Sequence, residues 1–336
     1  MSEVVKPRSE VSSLVEDKTS GRDPSRVQLL ATKIRSAVGA VMVGKEDSVN
    51  LAIVALLCRG HLLIEDVPGL GKTTLAKSLA ASLRCDFGRI QFTPDLMPAD
   101  VLGVSIFNMQ SNEFEFRKGP VFTQILLADE INRATPRTQT ALLEAMQERQ
   151  VTMDGETRGL PDPFLVMATL NPVELEGTFP LPEAQLDRFM LRISLGYPSR
   201  DEEVNIVERF TAGGSGPVTP AVVANDELIG AQDAIKDVIV EPSLRDYILD
   251  LVAATREHES LHLGASPRAS IAMYNAAQAW AAIEGRSYVL PDDIKHVAVS
   301  VLGHRVMVSP QAGLRGRGGD NVIREILGDI DVPIER

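Results

Sequence analysis

The sequence predicts an α/β fold on a mostly parallel sheet with two β-hairpin inserts, followed by an all-helical C-terminal segment. Three observations predict it. Short apolar runs alternate with helix-spaced segments over the N-terminal part of the 336 residues, the pattern of repeated strand–helix units. One of those runs leads through a glycine-rich turn straight into a helix. Past "TAGGSGPVTP" (211–220), only helical spacing remains.

Residues 1–25 are polar, carry Pro, Ser and Gly and show no period, so a disordered tail is expected there. In "RVQLLATKIRSAVGAVMVG", Val27, Leu30 and Ile34 share one helical face. "HLLIEDV" then reads as a strand and "KTTLAKSLAASLR" as the helix after the glycine turn. Further strand-like runs are "RIQF", "QILLADE", "PFLVMATLN" and "FMLRISL". Two ribbons interrupt them. "VSIFNMQSNEFEFRKG" alternates apolar and polar residues around "QSNE". "RQVTMDGETRGL" holds Asp154-Gly155, a pair favoured in type I′ hairpin turns. The expected organisation is an α/β core over 26–205, a linker over 206–220 and a helical unit over 221–336. That last unit rests on "PSLRDYILDLVAATRE", "SPRASIAMYNAAQAWAAIEG" and "PDDIKHVAVSVLGHR". No internal repeat is evident.

Composition narrows the functional classes. Apolar residues make up 44% and charged residues 24%, enough to fill a sizeable core. The net charge of −12 and pI near 5.0 argue against a protein that coats nucleic acid or an anionic membrane. Cys58 and Cys85 lie in apolar stretches and are expected to be buried free thiols of a reducing cytosol. There is no secretory apolar core at the N-terminus, and "LAIVALLC" stops at Arg59, short of the roughly 20 apolar residues of a membrane span. A cytoplasmic location is expected.

"LLIEDVPGLGKTTLAKSLA" carries the strongest chemical signal. Glycine backbone at such a turn lets several N–H groups point at a phosphate, and the following helix adds its positive end. Lys72 is placed to reach the β/γ-phosphates and Thr73 to supply a Mg²⁺ ligand. The full pattern asks for glycine six residues before the lysine, and Asp66 stands there. Its carboxylate must then point away from the phosphates. "QILLADE" is a buried-type strand that ends in Asp129, placed to hold Mg²⁺, and Glu130, placed to polarise the attacking water. Asn171 closes "FLVMATLN", where its amide can orient that water. Arg268 follows Ser266, a helix N-cap, and Pro267 at the first helical position. An arginine there opposes the helix dipole, which a phosphate or a surface carboxylate as partner would explain.

Together "VPGLGKT", "LLADEINRA", "ATLNP", "LPEAQLDRF" and "LGASPRA" resemble the MoxR family of AAA+ ATPases, over residues 27–334. The resemblance implies a AAA+ P-loop core and a helical lid. It implies ATP and Mg²⁺ as cofactors, and Walker A residues Pro68, Gly69, Leu70, Gly71, Lys72, Thr73 and Thr74. Asp129 and Glu130 become Walker B, Asn171 sensor 1 and Arg268 sensor 2. Arg188 matches an arginine finger acting on the neighbouring subunit, although "LDRF" also allows a local Asp187–Arg188 pair; Arg133 is a second candidate. Val43 and Gly44 match the lining of the adenine pocket, and the ribbons match the helix-2 and pre-sensor-1 inserts. The family pattern further implies a hexameric ring that remodels client proteins, with a von Willebrand A domain protein as partner. A nucleotide-gated scaffold with slow hydrolysis is the alternative. A nucleic-acid motor is disfavoured by Glu113 and Glu115 in the first ribbon.

One motif points elsewhere. His258-Glu259-Ser260-Leu261-His262 spells the H-E-x-x-H of zinc proteases. A zinc helix should continue past its second histidine, yet Gly264 follows two residues later, and Ala265 stands where the extended pattern needs glycine. Glu284 is the one remaining candidate for a third ligand. The match reads as a coincidence.

Overall fold

The computed structural model describes residues 24–173, 177–211 and 219–333. The expected tail falls outside these, except that the first helix already begins at Pro24; of the expected linker, 206–211 belongs to the helix Arg200–Thr211 and 212–218 falls outside the described residues. The chain opens with α1 (Pro24–Gly39) and α2 (Glu46–Leu57), then β1 (Leu62–Glu65), α3 (Lys72–Ser82) and β2 (Phe87–Gln91). A short α4 (Pro98–Leu102) leads into the first ribbon, β3 (Gly103–Asn108) and β4 (Glu113–Lys118). Next come β5 (Ile125–Asp129), α5 (Pro136–Glu148), the second ribbon of β6 (Gln150–Met153) and β7 (Glu156–Gly159), and β8 (Leu165–Leu170). Then α6 (Glu183–Leu186), β9 (Leu191–Ile193) and α7 (Arg200–Thr211) close the α/β part. The C-terminal part holds α8 (Asn225–Ala234), α9 (Pro242–Glu257), β10 (Leu261–Leu263) and α10 (Pro267–Ile283). It ends with α11 (Pro291–Leu302), β11 (Met307–Val308), α12 (Pro310–Leu314) and α13 (Gly319–Asp329).

The five-stranded sheet has the order β2-β5-β8-β1-β9, and every neighbouring pair is parallel. Because side chains alternate along a strand, each strand feeds two cores. Leu62, Ile64, Ile125, Leu127, Leu165 and Met167 enter one apolar cluster; Leu63, Leu126, Ala128, Val166 and Ala168 enter the other. The first cluster also takes residues of α1, α2 and α3 and runs on without a break into α8–α11 and α13. The second lies under α5 and the ribbons. This parity also governs chemistry: continuing each odd or even series past its strand end puts Asp66, Asp129, Thr169 and Asn171 toward the α3 side.

Both ribbons form as expected. In the first, Phe107 pairs with Phe114 across the strands. Gly103 at its base has φ +108°, and a Cβ there would strike the Arg117 carbonyl at 2.5 Å, so no side chain fits. In the second, Asp154 (φ 54°) and Gly155 (φ 80°) both take positive φ, as a type I′ turn requires.

The helical C-terminal part carries one addition: β10 and β11 pair antiparallel between its helices. That ribbon also settles the H-E-x-x-H match. His258 is the C-cap of α9 and His262 sits in β10, so the two imidazoles do not share a helical face. Among the described residues no cluster of His, Cys, Asp and Glu is arranged to hold a metal ion. Cys58 and Cys85 are free, as expected, although each is only partly buried. No described helix is long and apolar enough to cross a membrane.

Candidate functional site

The glycine turn sits at the C-terminal edge of the parallel sheet, where strand ends open a crevice. Gly69 (φ 86°) and Gly71 (φ 91°) are both left-handed. A Cβ on Gly69 would meet nothing within 4 Å, so the turn is an open cradle. Gly71 is the N-cap of α3 and has no side chain to offer the first amides of that helix, which leaves their N–H groups for an anion. Pro68 and Gly69 are exposed, Leu70 packs on the core, and Thr73 and Thr74 open the helix half-buried. Lys72 is buried and donates to the Asp66 carbonyl at 2.6 Å. Burial lowers its pKa, while the charges of Asp129, Asp66 and Glu130 act to raise it.

The Asp66 carboxylate does point away from the cradle. Its Oδ2 accepts from the amides of Leu195 and Gly196 (3.0 Å for Gly196) and from Ser194 Oγ (3.1 Å). The residue that breaks the glycine pattern therefore ties the turn to the outgoing end of β9. One residue earlier, Glu65 accepts from Arg192 at 2.8 Å, and Arg192 also pairs with Asp320 of α13.

Asp129 and Asn171 stand at the same edge, both buried. Asp129 accepts from Thr169 Oγ1 at 2.7 Å through Oδ1 and from Arg89 at 2.7 Å through Oδ2. Glu130 has left-handed backbone (φ 56°, ψ 51°), and its N–H donates to the same Thr169 hydroxyl at 2.8 Å. Its carboxylate accepts from Gln91 at 2.8 Å and from Arg133 at 3.0 Å. The Asn171 side-chain Oδ1 accepts from the Val173 backbone amide at 3.2 Å. The donor set fits a divalent ion and a phosphate chain: a threonine hydroxyl, one carboxylate and a lysine converge on one helix N-terminus.

Two of the candidate arginines, Arg188 and Arg268, lie at the other edge. Arg188 precedes β9, and the Met190 amide donates to the carbonyl of His61, which precedes β1. Arg188 is thus at the N-terminal edge, a strand length of about 13 Å from the cradle at ~3.3 Å per residue. Two of its guanidinium nitrogens, Nε and one Nη, are buried without a hydrogen-bond partner. The local Asp187–Arg188 pair does not form. Asp187 instead contacts Arg305 Nε at 3.0 Å and accepts from Ser266 Oγ at 2.9 Å. Arg268, exposed in the first turn of α10, comes within 4.0 Å of Asp187. The structure therefore brings Arg268 beside Arg188 and not beside Lys72. Arg305 is buried, donates to the carbonyls of Val301 and Phe189, and has its pKa lowered to about 10, chiefly by burial. Arg133 is engaged by its own chain's Glu130.

Two family models match this chain. The ATPase family associated with various cellular activities (AAA) matches residues 61–191, and the AAA lid domain matches residues 253–326. The chain is 42% identical to the chaperone MoxR1 of Mycobacterium tuberculosis, over 88% of this chain and 80% of that one. It belongs to the MoxR family of AAA+ ATPases. The uncharacterized protein YeaC of Bacillus subtilis is 50% identical, over 89% of this chain and 93% of its own length. A crystal structure of a Cytophaga hutchinsonii protein assigned as an ATPase superposes with a TM-score of 0.85 at 40% identity. It covers 92% of this chain and 97% of that one.

In this MoxR-family chain, Val43 and Gly44 line a cavity of about 440 Å³ together with Met42, Lys45 and Arg209. Gly44 (φ +69°) lies against the Glu202 carboxylate of α7, and Arg209 donates to the Ala40 carbonyl at 2.9 Å, so α7 walls this cavity. Sequence reasoning missed Thr169, Arg89, Gln91 and Arg305. Thr169 had a signal, being the one hydroxyl in an otherwise apolar run. Arg89 and Gln91 had none, because β2 becomes a neighbour of β5 only in the folded sheet.

Proposed function

We propose that this chain is an ATP-driven machine, assembled as a ring whose sites are shared between subunits, remodelling or maturing client proteins together with a von Willebrand A domain partner. The α3 amides and Lys72 bind the phosphates, and Thr73 and Asp129 hold Mg²⁺. When bound, Mg²⁺ would neutralise charge that develops on the phosphate chain during transfer. Glu130 takes the proton of the attacking water, and the Asn171 amide orients it. Val43 and Gly44 face the base. The setting is the cytoplasm, and no nucleic acid is expected as partner.

The observation that carries the shared-site reading is the polarity of the sheet. Lys72, Asp129, Glu130 and Asn171 are at one edge, and Arg188 and Arg268 at the other, so the arginines suit the nucleotide of a neighbouring chain. Head-to-tail contacts of this kind close into rings such as a hexamer. A protein client is supported by the first ribbon, whose Met109 (89% exposed) and Phe114 (74% exposed) present apolar surface.

The test mixes two variants. Lys72→Ala lacks nucleotide binding but keeps its arginines, and Arg188→Ala keeps its nucleotide site. Each is expected to be inactive alone, and a random mixture to regain roughly a quarter of the wild-type rate, from interfaces that pair one intact site with one intact arginine. Full activity of Arg188→Ala alone sinks the reading. The scaffold reading draws on a different observation: Arg89 holds Asp129, and Gln91 and Arg133 hold Glu130, an arrangement suited to slow basal turnover.

A further inference from the structure

We propose that Thr169 is the positioning residue of the hydrolytic centre, one hydroxyl that sets both the metal carboxylate and the catalytic glutamate. This rests on the ATPase reading of Asp129 and Glu130 given above. Thr169 is wholly buried on β8, between Ile64 of β1 and the end of β5. A threonine hydroxyl has one proton and two lone pairs. Here the proton goes to Asp129 Oδ1 at 2.7 Å, and one lone pair receives the Glu130 N–H at 2.8 Å. The β-branched side chain has few rotamers, so the hydroxyl direction is fixed by the strand itself.

Each bond answers a specific need. Asp129 is buried, and burying a polar group costs free energy unless it is hydrogen-bonded. With Oδ1 held from the interior by Thr169, Oδ2 is turned to the partly exposed side where Arg89 contacts it. Glu130 has the left-handed backbone that non-glycine residues disfavour, and such a conformation persists only where the surroundings hold it. The Thr169 hydroxyl grips its N–H at that residue. Both acidic groups thus take their direction from a neighbouring strand. Asn171, two residues on, belongs to the same strand exit, so β8 aligns all three groups.

The experiment compares Thr169→Val, which keeps the shape and removes the hydroxyl, with Thr169→Ser, which keeps the hydroxyl. Three readouts are taken at a temperature where circular dichroism shows each variant folded. The first is amide exchange of Glu130 in the nucleotide-free chain. The second is the affinity for a fluorescent ADP analogue with Mg²⁺ and with EDTA. The third is single-turnover hydrolysis. Thr169→Val should speed Glu130 exchange and leave the EDTA affinity alone. It should cut the Mg²⁺-dependent gain in affinity and the hydrolysis rate by about ten- to a hundred-fold each, the size of one lost hydrogen bond to a charged group. Thr169→Ser should restore all three. A folded Thr169→Val with a lower Tm but unchanged exchange, Mg²⁺ dependence and single-turnover rate overturns the proposal and leaves Thr169 a packing residue. Should Thr169→Val not fold, Thr169→Cys, with its far weaker hydrogen-bonding group, is held to the same outcomes. Glu130→Gln separates the two claims: if it hydrolyses ATP at the wild-type rate, the underlying site reading fails, whatever Thr169 does.

Discussion

Mild acid should destabilise this protein through His61. The ring is buried at the start of β1, with Nε2 3.0 Å from the Met146 carbonyl and Nδ1 3.0 Å from the Val166 amide. Those partners fix the tautomer, because the amide can only donate; Nε2 carries the proton and Nδ1 accepts. A second proton on Nδ1 would break the bond to Val166 and leave a buried charge. Burial foremost lowers the pKa from 6.5 to about 4; the bond to the Met146 carbonyl opposes it, and the charge of Arg149 adds a smaller downward push. The folded-state pKa is below the unfolded one, so this contribution is complete above pH 6.5 and is lost as pH falls toward 4. By linkage, the loss reaches about 2 kcal/mol at pH 5 and about 3 kcal/mol below pH 4. His304, also buried, is lowered in the same direction by burial first and by Arg305 second. His296 is raised, chiefly by its bond to Asp47, and acts oppositely: its contribution is present at low pH and fades as pH rises through its folded pKa. It is partly exposed, so solvent screening weakens it. The assay is urea denaturation at pH 7.5, 6 and 5, with an NMR titration of the His61 ring. A His61 that titrates near 6.5 in the folded chain, or stability that stays flat to pH 5, refutes the reasoning.

Two further outcomes follow from the buried charges. Asp66→Ala strips three donors of their common acceptor and is expected to cost about 2–4 kcal/mol in chemical denaturation, with Asp66→Asn milder; it should also weaken nucleotide binding, since the turn loses its tie to β9. An Asp66→Ala chain as stable and as tight-binding as wild type removes that role. Asp187→Asn leaves Arg305 buried without its counter-charge and should cost about 3–5 kcal/mol, whereas Asp187→Asn with Arg305→Met should recover a large part of the loss. A double variant no better than the single one would show that the pair is not coupled.

Much of the architecture follows from local order alone. The strand–turn–helix at "VPGLGKT" needs only an apolar run, glycines free to take positive φ, and a helix former after them, all within twenty residues. The same holds for the Asp154-Gly155 turn and the Ser266–Pro267 start of α10, where the Ser266 hydroxyl accepts from the Arg268 amide. Asp129, Glu130 and Asn171 were legible because a polar residue closing a buried parallel strand emerges at the shared crevice. Other features depended on chain segments far apart in sequence. Asp66 meets Ser194–Gly196 across 128 to 130 residues, and Asp187 meets Arg305 across 118, so no local pattern announces either contact. The β10–β11 ribbon was hidden because two- and three-residue strands are too short to show a period. The placement of Arg268 beside Arg188 was likewise a matter of packing: both motifs can be read in the sequence, but the edge of the sheet they occupy is fixed only when α10 docks on Asp187. Sequence alone determined which residues are candidates for phosphate chemistry, because that depends on side-chain type and local backbone. The tertiary structure decided which of them share one edge of the sheet and which lie at the opposite edge, because that depends on the direction of a parallel sheet.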